Sequence, residues 1–295
     1  MNKPTASSYF LLFFQGAIWG SSFLAIKFAL ESFGPMTVAA GRITLAAILL
    51  TLYTKMRGHH FPRELKTLTL LSVIGFFNCA LPFFLISWGE QSLDSGRTAI
   101  FMATGPLIAL AIAHFTSNER LNRFKGTGFA MGFFGVLLVI GISTFSNSSA
   151  ALLPQLSIIL AATSYAISGA IVKFVHNVSS SMQTAVVLLS ASLMTVPLSL
   201  WLENPFAVLS TPESQSALVA IIYLGLIPTG IAFLIRFHLL KQVGYTFVSQ
   251  VGYLVPMFGV LFGAFILGEV ITLSIIAGLV LILSGIVVSR IEPRH

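Results

Sequence analysis

The two halves of this chain match each other at a shift of 150 residues, and both halves are almost wholly apolar. Residues 65–141 align with residues 215–291 without a gap. The matched positions include Gly75 with Gly225, Pro106 with Pro256 and Glu119 with Glu269. Two similar membrane halves in tandem are a common plan of secondary transporters, whose substrate site lies where the halves meet. The pattern therefore predicts a transporter with repeats over residues 1–146 and 147–295.

The composition excludes water as the main solvent of the chain. Of its 295 residues, 56% are hydrophobic and 8% are charged, whereas a soluble domain carries about 25% charged residues. The formal net charge is +7, but the charges cluster in short segments between apolar stretches. This placement disfavours a nucleic-acid partner. The single cysteine, Cys79, excludes an internal disulfide.

Ten apolar stretches approach the length of about 20 residues that a helix needs to cross a bilayer. They lie at 9–30, 36–54, 66–87, 96–115, 124–143, 153–174, 182–202, 217–237, 244–267 and 271–289. An open sheet cannot cross lipid, and the alternation typical of a barrel strand is absent from the sequence. We expect an all-α integral membrane protein with ten transmembrane helices, arranged as two five-helix repeats.

Basic residues assign an orientation to these helices, because cytoplasmic loops are enriched in lysine and arginine. With a cytoplasmic N-terminus, 13 of the 16 basic residues fall in cytoplasmic segments. The exceptions are Lys27, Arg42 and Arg97, and the opposite loops hold Glu31, Glu90, Asp94, Glu203, Glu213 and Glu269. Both termini are therefore predicted to be cytoplasmic, in a multi-pass protein of a bacterial-type cytoplasmic (inner) membrane. Five spans per repeat is an odd number, so the two repeats are inverted relative to each other.

Two cations interrupt the first two spans near their outer ends. Lys27 lies late in the first span, and Arg42 lies early in the second. Charges in hydrocarbon are costly, so they usually face a cavity or the membrane interface. Together with Trp19 and Ser22 of the first span, they predict a cationic, aromatic-lined vestibule that binds substrate. The alternative is that both cations only extend to the lipid headgroups.

Three further polar residues lie inside predicted spans. Asn78 precedes Pro82 by one turn, and Gln250 and Tyr253 precede Pro256. Buried amides need hydrogen-bond partners, so we expect these side chains to face protein or water. All three are candidate substrate contacts, and bonding between helices is the alternative.

Prolines at mid-membrane depth are candidate hinges. Each proline removes a backbone hydrogen bond, which kinks a helix or frees a carbonyl toward a cavity. The candidates are Pro82, Pro106, Pro228 and Pro256. A kink that only shapes packing is the alternative.

Glu119 and Glu269 each precede the last span of a repeat. A carboxylate there suits the positive end of the following helix dipole, and a gating role is the alternative. The sequence contains no recognisable metal-ligand or cofactor motif, so no cofactor is expected.

Several short motifs occur in order, and part of them occurs twice. They are Trp19-Gly20-Ser21, Arg42 with the small and aliphatic run after it, Pro106 through Asn118-Glu119-Arg120-Leu121, and Pro256 through Gly268-Glu269. In this order the chain resembles the EamA-like branch of the drug/metabolite transporter superfamily. The resemblance implies a ten-helix inverted-repeat carrier of small metabolites, often an exporter of amino acids or related compounds.

The charges favour a substrate with an anionic group. Basic residues lie in or beside the spans, whereas the span interiors hold no convincing acid, which a carrier of lipophilic cations would be expected to bury. An amino acid or small organic acid, moved by alternating access, is the preferred substrate. The alternatives are an efflux carrier of drugs or other hydrophobic compounds, an intramembrane enzyme, a channel and a non-transporting scaffold. An enzyme is disfavoured because no nucleophile–base pair is visible, and the sequence leaves a homodimer open.

Overall fold

The regular structure is helical throughout the described residues, which in this computed structural model are 3–116, 123–140, 152–208 and 214–289. The helices of the first half are α1 (Ala6–Leu30), α2 (Pro35–Met56), α3 (Leu65–Gly75), α4 (Leu81–Glu90), α5 (Ser95–Met102), α6 (Gly105–Thr116) and α7 (Arg123–Ile140). The helices of the second half are α8 (Leu153–Val172), α9 (Ser180–Leu202), α10 (Pro205–Val208), α11 (Ser214–Leu224), α12 (Ala232–Val243), α13 (Tyr245–Val248), α14 (Val251–Leu267) and α15 (Leu273–Ser289). The predicted all-α class is confirmed for this part of the chain.

Eight helical segments of the described residues are long and apolar enough to cross a membrane. They are Ala6–Leu30, Pro35–Met56, Leu65–Glu90, Ser95–Ile112, Arg123–Ile140, Leu153–Val172, Ser180–Leu202 and Ser214–Val243. The two shorter apolar helices are Val251–Leu267 and Leu273–Ser289. These segments follow the ten predicted stretches, except that the fourth stretch is interrupted at residues 103–104 and the ninth between Val248 and Val251.

The surface of the described residues is far more apolar than that of a soluble protein, and the interior also holds polar side chains. Large apolar side chains cover the outside, where Trp201 is 80% exposed and Phe265 is 82% exposed. Polar side chains lie inside, and Gln15 and Thr98 are fully buried. A surface of this kind requires an apolar solvent, because a soluble monomer does not expose so much contiguous apolar surface. The protein is therefore an integral membrane protein.

Two helical segments contain a π-helical stretch in their middle. Phe76–Ala80 joins α3 to α4, and Gly225–Ile231 joins α11 to α12. Pro228 lies inside the second stretch, and Pro82 lies in the first turn after the first stretch. Proline lacks an N–H and clashes with the preceding turn, so the regular bonding pattern is interrupted at both places. Each segment therefore carries an irregular backbone at mid-length.

Glycines allow two pairs of helices to cross closely. In the crossing of α7 and α15, a Cβ added at Gly135 would lie 2.9 Å from the carbonyl oxygen of Gly278. The converse distance, from a Cβ at Gly278 to the carbonyl oxygen of Gly135, is also 2.9 Å. In the crossing of α1 and α14, a Cβ at Gly20 would lie 3.0 Å from the backbone nitrogen of Gly259. Small residues at these positions permit the backbone contact.

The helices pack mainly across the two halves of the chain. The principal pairs are α2 with α9, α1 with α14 and α11, α8 with α4 and α6, α5 with α14, α2 with Gly225–Ile231, and α9 with α3. The two halves thus interleave rather than form separate bundles. A cavity between them is consequently lined by both.

The two sequence-equivalent prolines occupy different local structures. Pro106 follows a break at residues 103–104 that separates α5 from α6. Pro256 lies inside the continuous helix α14, and the break of that segment comes earlier, at residues 249–250. The break at 103–104 is closed locally, since the Thr104 hydroxyl donates to the carbonyl oxygen of Phe101 at 2.7 Å. Sequence equivalence therefore does not extend to the position of the break.

Candidate functional site

A cavity of about 730 Å³ lies between the two halves of the chain. This volume is in the range of about 300–1,000 Å³ that is typical of small-molecule sites. Its lining includes Trp19, Arg42, Asn78, Tyr165 and Phe233, contributed by both halves. The cavity is the natural candidate for a substrate site.

The cavity is closed at one end of the bundle and open at the other. At the end where α1 finishes and α2 begins, the lining residues Ile26, Ile86 and Ala99 are at most 5% exposed. At the opposite end, Val172 also lines the cavity and is 42% exposed. We refer to these as the closed end and the open end.

Arg42 is a buried charged group at the wall of the cavity. Its side chain is buried, with 5% exposure, and its guanidinium carbon lies 4.0 Å from the centre of the Phe83 ring. Both Nε and Nη2 donate to the hydroxyl oxygen of Thr229, at 3.2 and 3.1 Å. Among the described residues, no carboxylate forms an ion pair with it. Arg42 is thus a buried cation held by neutral groups and presented to a cavity.

The irregular backbone around Pro228 creates the partner of Arg42. Because proline has no N–H, the carbonyl of Leu224 loses its usual helical donor. The Thr229 hydroxyl supplies a replacement, donating to the Leu224 carbonyl oxygen at 2.8 Å. The Oγ1 atom of Thr229 in turn accepts the two hydrogen bonds from Arg42. A proline on α11–α12 thereby fixes the orientation of an arginine on α2.

An aromatic wall lies beside this arginine. The indole N–H of Trp19 donates to the carbonyl oxygen of Pro228 at 2.9 Å, and its ring packs edge-on against Phe233, with centroids 6.4 Å apart. The guanidinium carbon of Arg236 lies 5.8 Å from the centre of the Trp19 ring. The wall therefore combines apolar surface with a second cationic side chain that also lines the cavity.

The structure brings together seven of the thirteen candidate residues from the sequence. Those that line the cavity are Trp19, Ser22, Arg42, Asn78, Pro106, Pro228 and Pro256. Those outside its lining are Lys27, Pro82, Gln250, Tyr253 and Glu269. Glu119 lies outside the described residues.

Gln250 and Tyr253 differ from their expected environment. Gln250 occupies the turn between α13 and α14, where it is exposed rather than deep in a span. Tyr253 packs against the large buried apolar cluster, which includes Phe23 of α1 and Val260 of α14, instead of lining the cavity. The expectation depended on a span that began at residue 244, whereas the structure interrupts that segment at 249–250.

Lys27 lies at the closed end rather than in the cavity. Its Nζ donates to the backbone carbonyl oxygen of Glu90 at 2.6 Å. Glu90 is the last residue of α4 and is fully buried, and both of its carboxyl oxygens lack a hydrogen-bond partner. The expectation that Glu90 belongs to a loop and that no acid is buried in the spans is corrected here. The error arose because the apolar run before Glu90 ends three residues before the helix does.

Two glutamates cap the N-termini of α2 and α5 at the closed end of the cavity. The carboxylate of Glu269 accepts from the backbone N–H groups of Ser95 and Gly96, at 2.7 and 2.9 Å. Glu203 likewise accepts from the N–H groups of Met36 and Thr37, at 2.9 and 2.7 Å. Neither helix has a side-chain cap of its own, so each glutamate satisfies donors that would otherwise be unpaired. Glu269 therefore serves the N-terminus of α5 and not that of the helix that follows it.

Sequence reasoning did not identify Thr229, Phe83, Glu203 or Glu90 as site residues. Thr229 had a detectable signal, because a threonine next to an intramembrane proline is placed to bond the freed carbonyl. Glu203 and Glu90 had none, since their partners are distant in sequence and depend on the fold. Within the described residues, no group of three or more metal-ligating side chains occurs.

Comparison with known proteins places the chain among transporters. A model of the EamA-like transporter family matches residues 6–141 and 152–291. The chain is 28% identical over 277 residues to YoaV, an uncharacterized transporter of Bacillus subtilis (strain 168), covering 91% of each chain. It is 27% identical over 262 residues to YedA, an uncharacterized inner membrane transporter of Escherichia coli (strain K12), covering 88% of this chain and 83% of that one. A crystal structure with 18% identity covers 97% of both chains with a TM-score of 0.69.

Proposed function

Because the chain belongs to the EamA-like transporter family, we propose that it is a secondary transporter that exports small metabolites with an anionic group. Amino acids and small organic acids are the substrate class. The membrane is the cytoplasmic membrane, in keeping with the inner-membrane name of the relative YedA. A transport function makes catalysis unnecessary to explain the cavity.

One observation carries the choice of an anionic substrate, namely that Arg42 is buried at the cavity without a carboxylate. A buried charge without a counter-ion is unfavourable, and it marks a functional site when it faces a cavity within the membrane. The hydroxyl of Thr229 and the ring of Phe83 hold the guanidinium but leave its charge uncompensated. A carboxylate or phosphate in the cavity would supply the missing charge through the paired N–H groups that arginine presents.

The packing of the helices supports two inverted repeats and alternating access. If each segment is exchanged for its counterpart in the other half, the pair α1–α14 becomes α8–α6, and α1–α11 becomes α8–α3. The pair α2 with Gly225–Ile231 becomes α9 with Phe76–Ala80, while α2–α9 and α7–α15 map onto themselves. A contact set that this exchange leaves unchanged is what a two-fold axis in the membrane plane produces. A closed end and an open end can then be interchanged with little change in energy.

The positive-inside rule assigns the open end to the cytoplasm, with both termini on the same side. Lys173, Arg236 and Lys241 lie toward the open end, whereas Glu90, Glu203 and Glu269 lie at the closed end. The conformation would then be inward-facing, which is the state in which an exporter loads its substrate. The closed end would face the outside and be held by the glutamate caps.

Counterflow in proteoliposomes tests this proposal. The purified protein is assayed with a panel of labelled amino acids and organic acids, with and without a pH gradient. We expect saturable flux of at least one anionic class. Arg42→Gln should reduce that flux about 10- to 100-fold, because a hydrogen bond to a charged group contributes about 1.5–3 kcal/mol.

Arg57→Gln is the matched control, at the residue that follows α2. Arg57 is exposed beyond the end of α2 and contacts Tyr53. Its loss should leave flux within about twofold of the wild type, because exposed charges contribute little. The absence of flux for every anion, or equal flux in Arg42→Gln, would contradict the proposed substrate class.

A second candidate function is the efflux of uncharged hydrophobic compounds. The observation that favours it is the aromatic wall, which includes Trp19, Phe23, Phe83, Phe233 and Phe237. Aromatic surface binds many planar molecules without a charge requirement. Flux of neutral aromatic compounds that is unaffected by Arg42→Gln would select this function.

A further inference from the structure

Glu90 is a buried acid that the proposed substrate site does not use. Its carboxyl group is 0% exposed, and neither oxygen has a hydrogen-bond partner. It does not line the cavity, although Ile86, one turn earlier on α4, does. The group therefore lies just beyond the closed end of the cavity, separated from it by one helical turn.

The nearest cation does not neutralise this carboxyl by direct contact. The Nζ of Lys27 donates to the backbone carbonyl oxygen of Glu90 at 2.6 Å. No ion pair joins the two side chains, since the salt bridge found among the described residues is that of Arg97 with Asp94. Lys27 thus closes the helix end while leaving the carboxyl oxygens without a partner.

Three charged side chains act on the carboxyl group of Glu90, and the other titratable groups of the surrounding helices are Arg97, Asp94 and Tyr165. Lys27 on α1 and Arg42 on α2 are attractive to a carboxylate, and Glu269, which caps α5, is repulsive. On α5 itself, Arg97 and Asp94 pair with each other at 3.4 Å. On α8, Tyr165 is the titratable side chain. The position at the C-terminal end of α4 adds the negative end of a helix dipole.

We propose that Glu90 is a proton-binding site whose occupancy is linked to the closing of this end of the transporter. Without hydrogen bonds, a buried carboxylate is unfavourable and the neutral acid is preferred. When the closed end opens, water reaches the group, the proton leaves to water and the carboxylate forms. The closed state binds the proton more tightly than the open state, so acid on this side of the membrane favours closure.

Accessibility of a reporter cysteine measures this linkage without any substrate. Ala29 is 0% exposed on α1 at the closed end, so Ala29→Cys in a Cys79→Ala background reports opening toward that side. The probe is a membrane-impermeant thiol reagent added on the closed-end side. At each pH, the labelling rate of Ala29→Cys is divided by that of Ser92→Cys, an exposed position at the same end. This ratio removes the intrinsic pH dependence of the reaction of the thiol with the reagent.

We expect the normalised labelling rate to rise about tenfold as the pH increases above about 4.3, the ordinary pKa of a glutamate, which is the effect of about one unit of difference in proton affinity between the two states. Glu90→Gln, which keeps the shape of the neutral acid, should show low labelling that no longer depends on pH. Glu31→Gln, an exposed glutamate at the same end, should retain the full rise. A full pH dependence in Glu90→Gln would overturn the proposal.

Lys27→Met provides a second variant that does not depend on the folding of Glu90→Gln. Removing a cation that attracts the carboxylate should move the midpoint of the labelling curve to higher pH. An unchanged midpoint would also overturn the proposal. Because the readout uses no transported compound, its failure is distinguishable from a failure of the proposed transport function.

Discussion

Arg42 and Lys27 look alike in the sequence, yet they lie in contrasting regions of the molecule. Each is a cation in an apolar helix, Lys27 near the C-terminus of α1 and Arg42 in the N-terminal half of α2. Arg42 faces the cavity and is held by Thr229 and Phe83. Lys27 lies outside the cavity and donates to the main chain of Glu90. The difference shows that depth and charge do not assign a role, whereas the groups that hold each cation do.

Arg42→Lys is expected to lower anion flux more than the other substitutions considered below. Lysine keeps the charge but loses the two donors that bond Thr229 and the planar contact with Phe83. Anion flux in proteoliposomes should fall about 10- to 100-fold, because the loss includes hydrogen bonds to a charged group. Flux close to that of the wild type would mean that a point charge is sufficient at this site.

Glu203→Gln is expected to weaken the closed end. The amide cannot accept with both terminal atoms, so one N–H at the start of α2 loses its partner along with the favourable helix-dipole interaction. Labelling of Ala29→Cys from the closed-end side should increase about fivefold, equivalent to about 1 kcal/mol. Glu31→Gln is the control, and equal labelling in the two variants would show that the cap does not hold this end.

Thr229→Val removes the hydroxyl while keeping the side-chain shape. The carbonyl of Leu224 loses its donor, and Arg42 loses the acceptor that orients it. We expect anion flux to fall about fivefold, in line with about 1 kcal/mol for one net hydrogen bond. Thr127→Val, at an exposed hydroxyl that bonds within α7, should leave the flux unchanged.

Lys27→Arg is expected to have the smallest effect. A guanidinium can also donate to the carbonyl oxygen of Glu90, and the residue does not line the cavity. Anion flux at neutral pH should stay within about twofold of the wild type, as expected for a contact to the backbone that is preserved. A loss as large as that of Arg42→Lys would place Lys27 in the substrate site after all.

The sequence was sufficient for the helical class and for seven residues of the cavity lining. Length and apolarity determine which segments cross the membrane, and they are local properties. Arg42, Trp19 and Asn78 were identified because a polar residue in an apolar run is conspicuous. Their roles as substrate contacts stay predictions, as do the orientation and the inverted repeats.

What the sequence did not reveal depends on contacts between distant residues. Glu203 and Met36 are separated by 167 positions, so no local pattern indicates that one caps the helix of the other. Glu90 looked like a loop residue because the helix continues beyond its apolar run. Gln250 was misplaced for the opposite reason, since its segment breaks inside an apolar run. The ends of helices are therefore harder to predict from the sequence than the helices themselves.

The most direct test of the account compares a transported acid with its uncharged amide in two forms of the protein. Flux of both compounds is measured in proteoliposomes for the wild type and for Arg42→Gln. If Arg42 binds the anionic group, the wild type should prefer the acid by about 10-fold or more, and Arg42→Gln should lose that preference with little change for the amide. An equal preference for the acid in both proteins would contradict the assignment of Arg42 as the anion site.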